Sequence, residues 1–263
     1  MLKARGRQAR KSLLQHTIAG RPSNCPASVT FVTGVQRSGT NMLMNILDRS
    51  LETDVYMEKD PRAFDRYAMR DVDTISALIK QSRAKHVVIK ALLEADSIAH
   101  LMQLFHNTRA LWLYRNYDDM VNSYLVSWPG GRNRLDEIMH GANGDIWQAK
   151  GMTPDTFEKI KEHYRPGIND ASALALFWYY RNQIFFDQRF DSSDAVMLLR
   201  YDSLVTDPAA HVRKIADFLG ISAAPAMTGL VSSRSVRKRQ KPAIEKGIRD
   251  LCDAMNARLQ EAL

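Results

Sequence analysis

Arg37, Ser38, Thr40 and Asn41 stand in one short run, "GVQRSGTN" (34–41), around two glycines, Gly34 and Gly39. An apolar segment, Val29-Thr30-Phe31-Val32, precedes the run, and an amphipathic helical pattern follows it. This is the layout of a strand, an anion-binding loop and a helix. Backbone N–H groups turn inward around an anion, and the helix start adds the positive end of its dipole. Arg37 supplies a permanent cation with a forked set of donors, and Ser38, Thr40 and Asn41 supply small polar groups. The nucleotide-hydrolysing form of such a loop reads G-x-x-x-x-G-K-[ST], where lysine reaches the terminal phosphates and the hydroxyl holds Mg²⁺. Here Thr40 occupies the lysine position and Asn41 the hydroxyl position. The loop is therefore expected to hold a phosphate without a metal.

A second cluster, "LYRNYDDMVNSYL" (113–125), carries Arg115 and, eight residues on, Ser123. With a helix beginning near Asn116, Ser123 lies about two turns in, at ~1.5 Å per residue. Its hydroxyl can then join Arg115 on one group. Alone, the pair reads as a surface ion pair and a helical serine. Lys90 ends the run "HVVIK" (86–90), where a lysine also serves to neutralise a neighbouring carboxylate.

The elements that would position these groups alternate between β-rich runs and helical patterns. Strands are expected at 29–33, 86–90, 110–114 and 195–200, with a shorter extended piece at 54–57. Helices are expected at roughly 39–49, 72–82, 95–106, 117–127, 170–189, 208–219 and 243–261. Asp207-Pro208 is a helix entry, because Asp caps and Pro fits the first turn, and Gly220 closes that helix. The alternation predicts an α/β fold of three layers, a mostly parallel central sheet flanked by helices, like that of P-loop nucleotide hydrolases. Ligands of such sheets sit beyond the carboxyl ends of the strands, which singles out 34–41, 90–94, 115–123 and 200–203. Gly/Pro/Asn-rich text at 128–145 and 165–169 predicts an insertion of helix and loops over about 128–170, a lid or substrate wall opened by Trp128. The aromatics at 177–180 and 185–186 read as core.

The length, 263 residues, suits one domain, read as 28–263 behind a basic arm at 1–27. Hydrophobic residues make up 45% and charged residues 25%, the ordinary globular range. No window approaches the ~18 apolar residues of a membrane span, and the N-terminus has no long apolar signal core. A cytoplasmic location is therefore expected. Cys25 and Cys252 lack ligand or redox spacing and read as free thiols. The net charge of +8 fits either nucleic acid or polyanionic substrates. Basic residues crowd 3–21 and 234–241. The first cluster reads as a solvated arm or as a peripheral contact with a membrane surface or partner. The chain lacks the aromatic-interleaved basic platform that single-strand binding uses, so no nucleic-acid partner is expected.

Together, "GVQRSGTNML" and "LYRNYDDMVNSYL" resemble the two cofactor signatures of the sulfotransferases that use 3′-phosphoadenosine 5′-phosphosulfate (PAPS). The block "LLRYDSLVTDPAAHVRKIADFLGI" (198–221) is similar to the family's late strand and helix, so the resemblance spans about 29–261. It implies that the first loop (Arg37, Ser38, Gly39, Thr40, Asn41) binds the 5′-phosphosulfate end and that Arg115 and Ser123 bind the 3′-phosphate. Tyr117 stands where many members have proline. The resemblance gives Arg37 the task of stabilising the departing phosphate. Lys90 looks like the lysine of the "IK-T-H" stretch in cytosolic members. The late basic stretch "SSRSVRKRQKPAI" (232–244) corresponds to a loop that closes on the 3′-phosphate and adenine, with Arg237 and Lys238 as candidates and Arg234 as alternative.

An acceptor hydroxyl or amine must lose a proton to a general base. Cytosolic members use a histidine two residues after the lysine; this chain has Leu92 there. His86 lies at the wrong end of its strand. Glu58, in "VYMEKDPRAF", resembles in spacing and surroundings the base of the tyrosylprotein-type members. Glu94, in "KALLEAD", is the other candidate. Asp60 and Arg62 could orient the glutamate or touch the acceptor. The expected activity is in-line transfer of a sulfonate from PAPS, with PAP as product and no metal, to a small-molecule, glycan or lipid acceptor. The alternative is a P-loop-type phosphotransferase without the usual lysine.

Overall fold

The computed structural model describes Lys11, Leu14, Gln15 and residues 25–127, 130–140, 146–229, 231 and 240–263. Five strands form one sheet: β1 (Ser28–Gly34), β2 (Thr53–Tyr56), β5 (His86–Lys90), β6 (Thr108–Tyr114) and β7 (Val196–Arg200). Their order is β2-β5-β1-β6-β7, and every pairing is parallel. A separate antiparallel hairpin joins β3 (Phe64–Asp65) to β4 (Ala68–Met69).

All seven residues of β1 are buried, as are all five of β5. Such strands are covered on both faces and read as nearly unbroken apolar runs. Alternate side chains feed two cores. Val29, Phe31, Val87, Ile89, Ala110 and Trp112 face one core; Val32, Val88, Leu111 and Leu113 face the other.

The second core is closed by α1 (Thr40–Leu47) and α9 (Pro208–Leu219). Asp207 accepts the Ala210 N–H as N-cap of α9, Pro208 occupies its first turn, and Gly220 ends it at φ 69. The first core is closed by α4 (Tyr117–Ser127), α7 (Asp170–Asp187) and α10 (Lys246–Glu261). Helix α7 is buried on nearly all sides, and Asn169 caps it by accepting the Ser172 N–H. The remaining helices are α2 (Val72–Gln81), α3 (Ile98–Leu104), α5 (Gly131–Met139), α6 (Pro154–His163) and the short α8 (Tyr201–Thr206).

The helix after β1 therefore packs on one face of the sheet and the helix after β6 on the other. Adjacent strands whose connections leave on opposite faces open a crevice between their carboxyl ends, the topological switch point. It lies between β1 and β6.

The expected elements are present, with two differences. The expected helix at 95–106 is shorter, because residues 91–97 turn before it and Phe105 is extended. A helix not expected, α8, follows β7 directly; α5 and α6 lie within the stretch 128–170. Lys11 of the basic arm is buried and donates to the Asp48 carbonyl at 2.9 Å, while Gln15 donates to the Leu51 and Thr53 carbonyls at 3.0 Å. These contacts tie that part of the arm to the edge of the sheet beside β2.

Candidate active site

The loop after β1 starts with a close approach. Gly34 has φ 127, and a Cβ there would lie 2.1 Å from the Leu113 carbonyl oxygen of β6. Only glycine allows the two strands to meet where the loop turns. Gly34→Ala is expected to destabilise the fold by about 3 kcal/mol or more, from the collision and the left-handed backbone together. A urea midpoint unchanged from wild type would contradict this.

At the far end of the loop Gly39, φ 93, begins α1 with no side-chain cap, and a Cβ there would strike the Tyr201 ring at 2.3 Å. An uncapped N-terminus directs its first N–H groups and its positive end into the crevice. The Ser38 hydroxyl beside it is buried with no hydrogen-bond partner among the described residues. A polar atom left so costs free energy that a bound oxygen acceptor recovers.

Arg37 holds φ 67, a conformation non-glycine residues seldom adopt and one that persists only where the surroundings impose it. Its Nε donates to Ser123 Oγ on α4 at 3.1 Å. Thus the β1 loop and the helix after β6 meet directly across the crevice. Ser123, paired with Arg115 by spacing, has Arg37 as its hydrogen-bond donor here. Its hydroxyl proton remains available to a further acceptor.

Arg115 is buried at the end of β6. Its guanidinium lies 3.7 Å from Asp119 one turn along α4 and stacks 4.6 Å above the Tyr201 ring. The Trp178 indole donates to its carbonyl at 2.8 Å, fixing the backbone. Burial foremost, and then the Arg115 charge, pull the Arg37 pKa down from its ordinary value, while Tyr124 opposes the shift. A bound anion would relieve both guanidiniums, which disfavour each other in a partly desolvated crevice.

Lys90 is buried at the end of β5. Its Nζ donates to Asn41 Oδ1 at 2.7 Å and to Glu58 Oε2 at 2.5 Å. One ammonium therefore links the start of α1 to the carboxylate that follows β2. Glu94 is more deeply placed. Its Oε1 accepts the Met69 N–H at 2.7 Å, its Oε2 is buried without a partner among the described residues, and burial, ahead of the neighbouring Glu58 and Asp96 charges, raises its pKa. Asp60 and Arg62 pair with each other at 2.6 Å, and Arg62 stacks over Tyr56.

His86 opens β5 at the opposite end, bonded to Thr30 at 3.2 Å, with burial foremost lowering its pKa. Arg234, Arg237, Lys238 and Trp128 lie outside the described residues. Asp119 and Tyr201 lie in the strand-end stretches, but sequence reasoning gave neither a role. Tyr201 stands directly after a strand, a position that already marks the crevice. Among the described residues no cluster of three or more His, Cys, Asp or Glu could hold a metal ion, and no helix is long and apolar enough to cross a membrane.

An all-parallel central sheet, a glycine-flanked loop at its middle strand and cations at the adjoining carboxyl ends define an α/β protein of the P-loop-like class. Within that class, residues 28–246 match the sulfotransferase domain family, and the chain belongs to it. Sulfonate transfer is the general chemistry of that family.

The chain is also similar in structure to the sulfotransferase domain from the curacin biosynthetic pathway, with TM-score 0.54 at 12% identity over 88% of this chain and 98% of that one. It resembles the sulfotransferase domain of the Synechococcus PCC 7002 olefin synthase with TM-score 0.53 at 12% identity, covering 88% and 95% of the two chains. For the Alicyclobacillus acidocaldarius sulfotransferase the TM-score is 0.51 at 17% identity, covering 93% and 95%. At these identities the likeness is one of fold. No curated protein matches the chain in sequence.

Proposed function

We propose that the protein transfers a sulfonate group from PAPS to an acceptor hydroxyl or amine by in-line displacement, with Glu58 as the base. The observation that carries this reading is the approach of Arg37 to Ser123 and Arg115, which gives one crevice two anion-binding ends. The residues fit a bisphosphorylated nucleotide: a glycine cradle that a Cβ would fill, an unpartnered buried Ser38 hydroxyl, and two guanidiniums in electrostatic contact.

Arg37, Ser38, Gly39, Thr40 and Asn41 would hold the 5′ end. Arg115 and Ser123 would hold the 3′-phosphate, joined by Arg237 and Lys238. The donor supplies an activated sulfonate on a phosphate leaving group. Arg37 and Lys90 neutralise the charge that develops on that phosphate, the kind of preorganised stabilisation that usually contributes most. Lys90 meanwhile holds Glu58 near the reacting atoms, and Glu58 takes the acceptor proton. A base position like that of the tyrosylprotein-type members is part of this proposal. So are the absence of a metal requirement and a cytoplasmic location.

Calorimetric titration with adenosine 3′,5′-bisphosphate, AMP and ATP tests the donor. Without magnesium, the wild type is expected to bind the bisphosphate far more tightly than AMP or ATP. Arg115→Ala removes charge-assisted hydrogen bonds contributing about 2–3 kcal/mol. It should therefore weaken the bisphosphate by about 30- to 150-fold and erase its advantage over AMP. Tight binding of Mg-ATP with indifference to the 3′-phosphate would instead indicate a phosphotransferase.

A further inference from the structure

A polar cluster outside the crevice ties the start of α4 to the C-terminal helix α10. Tyr117, the first residue of α4, is buried, and its phenol donates to Asp253 Oδ1 of α10 at 2.6 Å. The same phenol oxygen accepts from the Arg249 guanidinium at 3.0 Å, and Arg249 also donates to the Asp118 carboxylate at 3.0 Å. The other amino nitrogen of Arg249 reaches the Pro242 carbonyl at 3.0 Å. Asn122, next to Ser123, donates to the Gln240 carbonyl at 3.1 Å. The C-terminal part of the chain thus holds α4 at its first turn and again at Asn122.

The first position of a helix needs only a residue with helical φ, and proline suffices there. Tyr117 brings instead a buried ring and a hydroxyl that is bonded twice. Its ring lies 5.5 Å from the Trp178 ring, and the Trp178 indole donates to the Arg115 carbonyl at 2.8 Å. Contacts therefore run without a break from Arg115 through Trp178 and Tyr117 to Arg249. Charge follows the same line. Asp118 and Asp119 both stand in the first turn of α4; Asp119 lies 3.7 Å from Arg115, and Asp118 is neutralised by Arg249. Without Arg249, the Asp118 carboxylate would repel an anion bound at Arg115 and Ser123.

We propose that Tyr117 and Arg249 are positioning residues for recognition of the 3′-phosphate, acting through Arg115 and Ser123. This rests on the donor reading of the crevice and extends it to the C-terminal helix. Arg115 and Ser123 belong to one piece, the end of β6 and the helix that follows. Ser123 ties that piece to the β1 loop through Arg37, and the α10 cluster fixes its first turn. Loss of the cluster lets α4 shift against the strand end, so that the Arg115 fork and the Ser123 hydroxyl converge less well on one phosphate. Bidentate, charge-assisted bonds depend on such geometry. The 5′ end, held by the β1 loop, is spared.

The test is calorimetric titration of the full chain and its variants with adenosine 3′,5′-bisphosphate and with AMP. The ratio of the two affinities reads the 3′-phosphate alone. Tyr117→Phe removes one oxygen and keeps the ring on Trp178. It is expected to weaken the bisphosphate about five- to tenfold, with AMP binding as in wild type. Arg249→Met also leaves Asp118 unneutralised and should weaken the bisphosphate about twentyfold or more. Arg249→Lys keeps the charge but not the fork, and should fall between wild type and Arg249→Met.

Tyr117→Phe carries the test even if Arg249→Met fails to fold. A merely structural role would lower the melting temperature and leave the affinity ratio of Tyr117→Phe at its wild-type value; that result overturns the proposal. So does an equal loss of both ligands in Tyr117→Phe. A wild-type chain that binds bisphosphate and AMP alike overturns the donor reading itself, and is told apart because it needs no variant.

Discussion

Glu58→Gln is expected to lower sulfonate-transfer turnover by about 10²- to 10⁴-fold, the usual contribution of a positioned general base, with donor affinity nearly unchanged. The substitution keeps the side chain's shape and an oxygen that can accept from Lys90, but it removes the basic carboxylate. Glu94→Gln is the necessary companion. Glu94 is fixed on the Met69 N–H, and burial pushes its carboxyl up; glutamine can accept that same hydrogen bond, so activity should persist. Single-turnover assays with radiolabelled donor separate the two. If Glu94→Gln abolishes transfer while Glu58→Gln remains active, the base has been misassigned.

Arg37→Ala should cost about 10²- to 10³-fold in kcat, the range found on deleting one donor aimed at developing negative charge. The loss should fall on kcat as well as on kcat/KM, because the leaving phosphate gains charge only as the bond breaks. Arg37→Lys restores a cation but cannot reproduce the Nε contact to Ser123, so only partial recovery is expected. A variant with raised KM and unaltered kcat would make Arg37 a binding residue alone. Steady-state kinetics over donor concentration give the answer directly.

Much of this site could be read from the chain because strand ends are easy to locate. The runs 29–33, 86–90 and 110–114 are apolar on both faces, and their carboxyl ends mark where ligands gather. Gly34, Arg37 and Gly39 announced the loop, and Asp207, Pro208 and Gly220 announced the limits of α9.

The insertion was harder to read. Gly130, Gly131 and two asparagines nearby marked loops mixed with helix without giving the helix limits, which are set where Leu135 and Ile138, one turn apart, bury one side of α5 against α7. Nor does spacing reveal which arginine Ser123 accepts from, since residues 86 positions apart meet only through the strand order.

The contact between Arg37 and Ser123 also acts as a spacer rod. It pins a loop anchored on the middle strand to a helix anchored on the strand beside it. On the proposed reading, the span between the two anion cradles then follows from the spacing of β1 and β6, on which the loop and the helix are anchored. A nucleotide bearing its second phosphate elsewhere on the ribose is, on that reading, expected to engage one cradle and miss the other.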